Sequence, residues 1–186
     1  QSTSTLDVSN ILNGGKVLIV NLSKGNLGTE PAHLLGALLI TAFSQAAEAR
    51  RHIPEADRRD FTLYVDEFQN FATESFASIL SESRKWRLSL IAANQHVSQL
   101  PETLQQAVFG NAGTIVTFRV GAKDALLLAD ELGLESPRTL TTTSNFKAWV
   151  RLMLKGMPIE PHLVRMNPLM PQGTKLQSVI ALSRSR

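Results

Sequence analysis

Apolar residues in this chain fall into short continuous runs and longer stripes at helical spacing, and the two kinds alternate. The first run, Val17 to Val20 in "GGKVLIVNL", is bounded by glycines and by "SKGNLG" and predicts a buried strand followed by a loop. A helix is predicted next. Thr29 is its N-cap, Pro31 sits in its first turn, and apolar residues pair at Leu34/Leu35, Leu38/Leu39, Ala42/Phe43 and Ala46/Ala47. The charge-balanced "EARRHIPEADRRD", with Pro54 inside it, reads as an exposed connection.

The pattern then recurs. Leu63 to Val65 is strand-like, and "TESFASILSESRKWR" places Phe76, Ile79, Leu80 and Ser83 on one helical face, with Arg84, Lys85 and Arg87 near the end that the helix dipole favours for cations. "LSLIAANQ" predicts another buried strand, Pro101 opens the helix "PETLQQAVF", and the strand "GTIVTFRV" precedes the helix "AKDALLLADEL". Repeated alternation of strand and helix predicts an α/β fold, a parallel sheet with helices packed on it. Beyond Pro137, β-formers interrupted by Gly156 and several prolines predict a β-hairpin or extended arm. The closing "TKLQSVIALSRSR" reads as a short helix or strand with a basic tail.

Composition narrows the function classes. With 186 residues, 43% of them apolar, the chain suits one domain with a sizeable core. A net charge of +3 permits a nucleic-acid or other anionic partner without requiring one. The absence of cysteine excludes a disulfide framework and cysteine-ligated zinc. The apolar stretch "LLGALLITAF" falls well short of the roughly 20 residues of a membrane span. "QSTSTLDVSN" lacks both the features of a signal peptide and an initiator Met, so the chain reads as a piece of a longer one. His33, His52, His96 and His162 have no metal-ligand spacing, no nucleophile elbow is present, and Trp86 and Trp149 lack the interleaving of a base-stacking platform.

The candidate chemistry lies in "TLYVDEFQNF", where an apolar run ends in adjacent carboxylates, Asp66 and Glu67. Charge at a strand end must be solvated, neutralised or coordinated to a cation. Asn94 and Gln95 occupy the same place on the next predicted strand, and ligands of an open parallel sheet bind beyond the carboxyl ends of its strands. A phosphate site needs such a set: a carboxylate for hydrated Mg²⁺, a second to orient or deprotonate water, and an amide toward the γ-phosphate. The bland alternative is a solvated strand end. Arg119, inside "VTFRV", is read either as an ion-pair partner of Asp124 or as a nucleotide-facing or interface group. Lys24 faces a nucleotide or DNA, or is simply solvated, and His96 is read as structural.

"LYVDEFQNF", "SRKWRLSLIAANQ" and "GNAGTIVTFRVG" resemble the Walker B, interface-arginine and glutamine-sensor regions of the HerA/FtsK class of RecA-like motor ATPases. Within that class they are most similar to the TraG/TraD-type coupling proteins of type IV secretion, over roughly residues 14 to 132. The resemblance implies a RecA-like P-loop NTPase fold truncated at its N-terminus. It makes Asp66 the Mg²⁺-associated carboxylate through water, Glu67 the water-activating residue and Gln95 the γ-phosphate sensor. Arg84 becomes an arginine finger directed into a neighbouring subunit, which its planar fork suits, although as a residue it also reads as a helix-end cation.

A phosphate cradle of the form GxxxxGK[ST] is missing: Gly15-Lys16 is followed by Val17, and Asn10 stands where the first glycine should be. The resemblance places that Walker A motif upstream, so the isolated chain is expected to bind ATP weakly or not at all and to expose a sheet edge. The implied organisation is a linker or disordered segment over 1–13, part of the ATPase domain over 14–136, and an arm and tail over 137–186. The implied parent uses ATP and Mg²⁺, forms a homo-oligomer as a hexameric ring, and acts on DNA with secretion-system components at the cytoplasmic face of the inner membrane. The competing expectation is a non-catalytic docking module. A clamp-loader relative fits less well, since its "SRF"-like finger context is absent.

Overall fold

The first helix, α1 (Val8–Asn13), begins where the Asp7 carboxylate accepts the Asn10 N–H at 2.9 Å, and it buries Leu12. Helix thus forms within the segment expected as linker. The computed structural model describes residues 6–71 and 74–168, so the closing "TKLQSVIALSRSR" lies outside the described residues. Residues 17–20 depart from the expected buried strand. They carry no sheet pairing, and Val17 and Ile19 are 88% and 83% exposed. High β-propensity makes a strand only where a neighbouring ladder takes up the backbone groups.

After α2 (Lys24–Leu27), the 20-residue α3 (Thr29–Glu48) starts from Gly28 rather than from a Thr29 cap, because the chain enters it at a φ of 83° that glycine tolerates. It buries Ala32, Gly36, Ile40, Phe43 and Ala47, whereas Leu34, Leu35 and Leu38 of the expected stripe are exposed. Gly36 has a packing reason: a Cβ there would lie 2.3 Å from the Phe71 ring.

The connection after α3 is the largest departure from the sequence reading. Arg50, expected in an exposed segment, is only 1% exposed. Its Nε donates to Asn13 Oδ1 at 3.0 Å, Nη1 to the carbonyls of Arg59 and Trp86 at 2.8 Å each, and Nη2 to the Leu12 carbonyl at 2.8 Å. Burial and the nearby Arg58 push its pKa down, with Asp60 acting in the opposite sense. A planar fork with five donors can serve several acceptors at once while remaining charged.

Strand β1 (Phe61–Val65) leads through α4 (Glu74–Glu82) and a tight turn at Ser83–Trp86 into β2 (Leu88–Ala92), and α5 (Glu102–Asn111) follows. The strands pair in parallel from Phe61↔Leu88 to Val65↔Ala92. Val65 packs with Ile40, Phe68, Phe76, Ile79, Leu100 and Leu104 in one core, against which Leu63 and Leu90 also lie. The opposite face is open: the register partners Tyr64 and Ile91 are 72% and 49% exposed, so β2 is covered on one side only rather than buried.

Strand β3 (Ile115–Thr117), α6 (Ala122–Leu132) and α7 (Arg138–Thr141) precede β4 (Lys147–Arg151), β5 (Met153–Leu154), β6 (Met157–Pro158) and β7 (His162–Arg165). β3, β4 and β7 form an antiparallel sheet in that order. Among the described residues the parallel pairing of the expected sheet is confined to β1 and β2, while β3 pairs antiparallel with β4. The expected hairpin is present as β5 and β6, turning on Lys155 and Gly156 with φ of 51° and 81°, the double positive φ of a two-residue hairpin loop. Ala125, Leu128, Ala129, Leu132 and Leu140 form a second core, with Trp149 packed against it.

Replacing Arg50 by Ala leaves buried carbonyls without a donor and should lower unfolding free energy by about 3 kcal/mol or more, with Arg50→Lys recovering only part. Urea unfolding measures this, and a loss below about 1 kcal/mol would contradict the role assigned to the guanidinium.

Candidate functional site

The acidic pair sits where β1 leaves the ladder, and the backbone of one residue brackets it. Ala93 N donates to the Val65 carbonyl at 2.9 Å, and the Ala93 carbonyl accepts the Phe68 N–H at 3.0 Å. Asp66 and Glu67 are thus displayed between two fixed points, and buried Phe68 packs edge-on to Phe76 at 4.5 Å just behind them. Glu67 itself is left-handed, with φ 50° and ψ 44°. A non-glycine residue in that region costs about 1 kcal/mol or more, and such positions cluster at functional sites.

The Asp66 side chain is exposed, with Oδ1 accepting the Glu67 N–H at 2.9 Å. The Glu67 carboxylate receives two amides. Gln69 donates to Oε2 at 2.5 Å, and Gln95 donates to Oε1. Each oxygen retains a further lone pair for a water molecule. The acid and amide groups expected to converge from two neighbouring strands therefore touch.

Other expected members lie apart from this cluster. Arg84 is exposed in the Ser83–Trp86 turn at the start of β2, whereas Glu67 and Gln95 follow the strand ends. Five residues of parallel strand separate the two ends by roughly 17 Å. Arg119 is exposed and follows β3, which ends at Thr117, so it is not a charge buried within a strand. Its expected partner Asp124 is engaged elsewhere. Asp124 Oδ1 accepts the Ser98 N–H at 2.8 Å, and Oδ2 lies 3.3 Å from His96 Nδ1. Lys24 opens α2.

Two contacts here lie outside the sequence expectations, that of Gln69 with Glu67 and that of Asp124 with the segment after Gln95. Gln69 stood in the quoted motif, two positions after Glu67, but its contact depends on the left-handed turn. From the sequence Asp124 reads only as a candidate ion-pair partner of Arg119, yet it is buried and faces Ser98 and His96. Burial pushes its carboxyl up, but the Ser98 N–H and hydroxyl and the His96 ring outweigh this and hold it below the ordinary value of 3.8.

Comparison with known proteins sets this geometry in a family. Residues 60–155, just over half the chain, match the family described as the TraM recognition site of TraD and TraG. The chain belongs to this family. No curated protein matches it by sequence. Among solved structures it resembles the bacterial conjugative coupling protein TrwBdeltaN70, with a TM-score of 0.59 and 17% identity over 76% of this chain and 40% of that one. The genome-packaging NTPase B204 of Sulfolobus turreted icosahedral virus 2, in complex with ATP-gammaS, gives 0.56 and 15% over 90% and 74%. VirB4 of Thermoanaerobacter pseudethanolicus gives 0.52 and 16% over 72% and 36%. The fold is a truncated RecA-like α/β fold, and the chain spans about two fifths of the length of the coupling protein.

Within that fold a groove of about 760 Å³ runs beside β1, walled by Leu18, Gly36, Phe43 and Tyr64 and reaching Asp66 and Glu67. Among the described residues no group of three or more His, Cys, Asp or Glu side chains could hold a metal ion. A protein-only cage is therefore not built here. One or two carboxylates suit a hydrated Mg²⁺ that takes its remaining ligands from water and phosphate. Among the described residues no helix is long and apolar enough to cross a membrane.

The depressed Asp124 carboxyl stabilises the fold while ionised. Its contribution should be full above about pH 5 and be lost as the pH falls through 3.8 toward the lower folded value. The stability difference between the protein and Asp124→Ala should accordingly be large at pH 7 and shrink by pH 3; urea titrations showing an unchanged difference would contradict this.

Proposed function

We propose that this chain is the Walker B and sensor part of an ATP-hydrolysing motor that translocates DNA, or secretes a protein–DNA complex, in a type IV secretion or conjugation system. The observation that carries the reading is the Gln95 amide seated on the Glu67 carboxylate just beyond two parallel strands. Family membership and the likeness to TrwB and B204 support the setting.

In this reading Glu67 orients and deprotonates the attacking water, and Gln95 senses the γ-phosphate through the amide that now contacts Glu67. Asp66, exposed beside it, holds hydrated Mg²⁺, whose charge offsets that of the phosphates. The phosphate cradle comes from a Walker A segment of a longer polypeptide, so the isolated chain binds ATP weakly or not at all. Arg84, roughly a strand's length from Glu67 of its own chain, acts on the site of a neighbouring subunit in a ring, proposed as hexameric. Arg119, exposed after β3, serves a nucleotide-facing or interface role. Residues 14–136 supply the ATPase part, and the arm over 137–186 is tied to it through the pairing of β4 with β3. The ring is proposed to work at the cytoplasmic face of the inner membrane.

A second reading, a non-catalytic docking module, is favoured by the family's description as a recognition site for TraM. Turnover separates the two. In the longer polypeptide, Glu67→Gln should keep nucleotide binding and lower hydrolysis about 100-fold or more. Equal hydrolysis by the variant would remove Glu67 from the chemistry, and absence of hydrolysis in the unaltered polypeptide would favour docking. Arg84→Ala should lower turnover by about a thousandfold. Mixed assemblies in which neighbours supply an intact arginine should recover activity, and no recovery would exclude action between subunits.

A further inference from the structure

Gln95 meets Glu67 from a stretch of chain that has already left the ladder, since β2 ends at Ala92. Three contacts made within and beside residues 94 to 98 bear on the position of Gln95. Asn94 Oδ1 accepts the His96 N–H at 3.1 Å, Asp124 Oδ1 accepts the Ser98 N–H at 2.8 Å, and Asp124 Oδ2 lies 3.3 Å from His96 Nδ1. The last two end on one buried carboxylate in the first turn of α6. That helix is immobilised by Ala125, Leu128, Ala129 and Leu132, all buried in the second core. With a proton on Nδ1 the half-exposed His96 ring donates to Asp124 and closes the loop against the helix.

We propose that Asp124, acting with His96, is a positioning residue that holds the Gln95 amide against Glu67 and couples this contact to α6. The proposal rests on the roles given above to Glu67 and Gln95. A carboxylate suits the task because it accepts two donors with different oxygens, so the Ser98 backbone and the His96 ring are referred to one rigid point. The backbone of Gln95 lies between a strand end and this anchor, so its exposed side chain projects toward Glu67 from a fixed base. A misplacement of about 1 Å in such a group is enough to cost about two orders of magnitude in rate.

The test follows the Gln95 side-chain amide of the full chain by ¹⁵N nuclear magnetic resonance. Glu67→Ala should move that resonance and so define the position of a released amide. Asp124→Ala should move it to the same place and speed exchange of the Ser98 backbone amide about tenfold. Asp124→Asn, which still offers an oxygen to Ser98 and a donor to a neutral His96 ring, should leave Gln95 near its original position. Leu128→Ala, a core change in the same helix, should lower stability without shifting Gln95. Should Asp124→Ala fail to fold, His96→Phe carries the same expectation for Gln95.

A Gln95 resonance unmoved by Asp124→Ala but moved by Glu67→Ala would overturn the anchor alone. One moved equally by Leu128→Ala would reduce the effect to general loosening and overturn it likewise. One unmoved by Glu67→Ala would mean that the amide and carboxylate do not meet, and the site itself would fall with the anchor.

Discussion

One guanidinium aligns the parallel pair on which the site is built. Arg59 precedes Phe61, and Trp86 precedes Leu88, by the same number of residues, and Arg50 Nη1 donates to both of their carbonyls. Its other nitrogens reach the end of α1 through Leu12 and Asn13. A slip of one residue between β1 and β2 would turn every side chain of one strand to the other face. Fixing the register where the strands begin therefore fixes which groups meet where they end.

At the far ends the same logic is carried by backbone rather than side chain. Ala93 bonds on both sides of the acidic pair, so Asp66 and Glu67 project from a turn anchored to the neighbouring strand. The left-handed backbone of Glu67 persists because its surroundings over-determine it. Buried Phe68 and the two Ala93 bonds fix the chain on both sides of the residue. The carboxylate is aimed by packing behind it, and the two glutamine amides complete its surroundings.

The open face of the pair makes physical sense in a chain that spans a fraction of its structural relatives. Parallel sheets are ordinarily covered on both sides, yet Tyr64 and Ile91 face outward together, as do Val17 and Ile19 in the unpaired segment. The antiparallel sheet of β3, β4 and β7 has both of its ladders formed within the described residues, and Leu163 and Val164 of β7 are exposed there as well.

The sequence by itself determined the elements and the chemistry at their ends. Stripes at helical spacing gave α3 and α6, apolar runs gave β1 and β2, and "DEF" and "NQH" put acid and amide after those runs, because periodicity and turn residues are local properties. Tertiary structure decided everything that depends on long-range partners. Val17 to Val20 has strand propensity but no ladder, β3 pairs with β4 rather than with the parallel pair, and Arg50 is buried because four acceptors from three separate segments surround it. Asp124 became an anchor for the same reason: a lone acid acquires that role only when folding brings Ser98 and His96 to it across a distance in sequence that no spacing encodes.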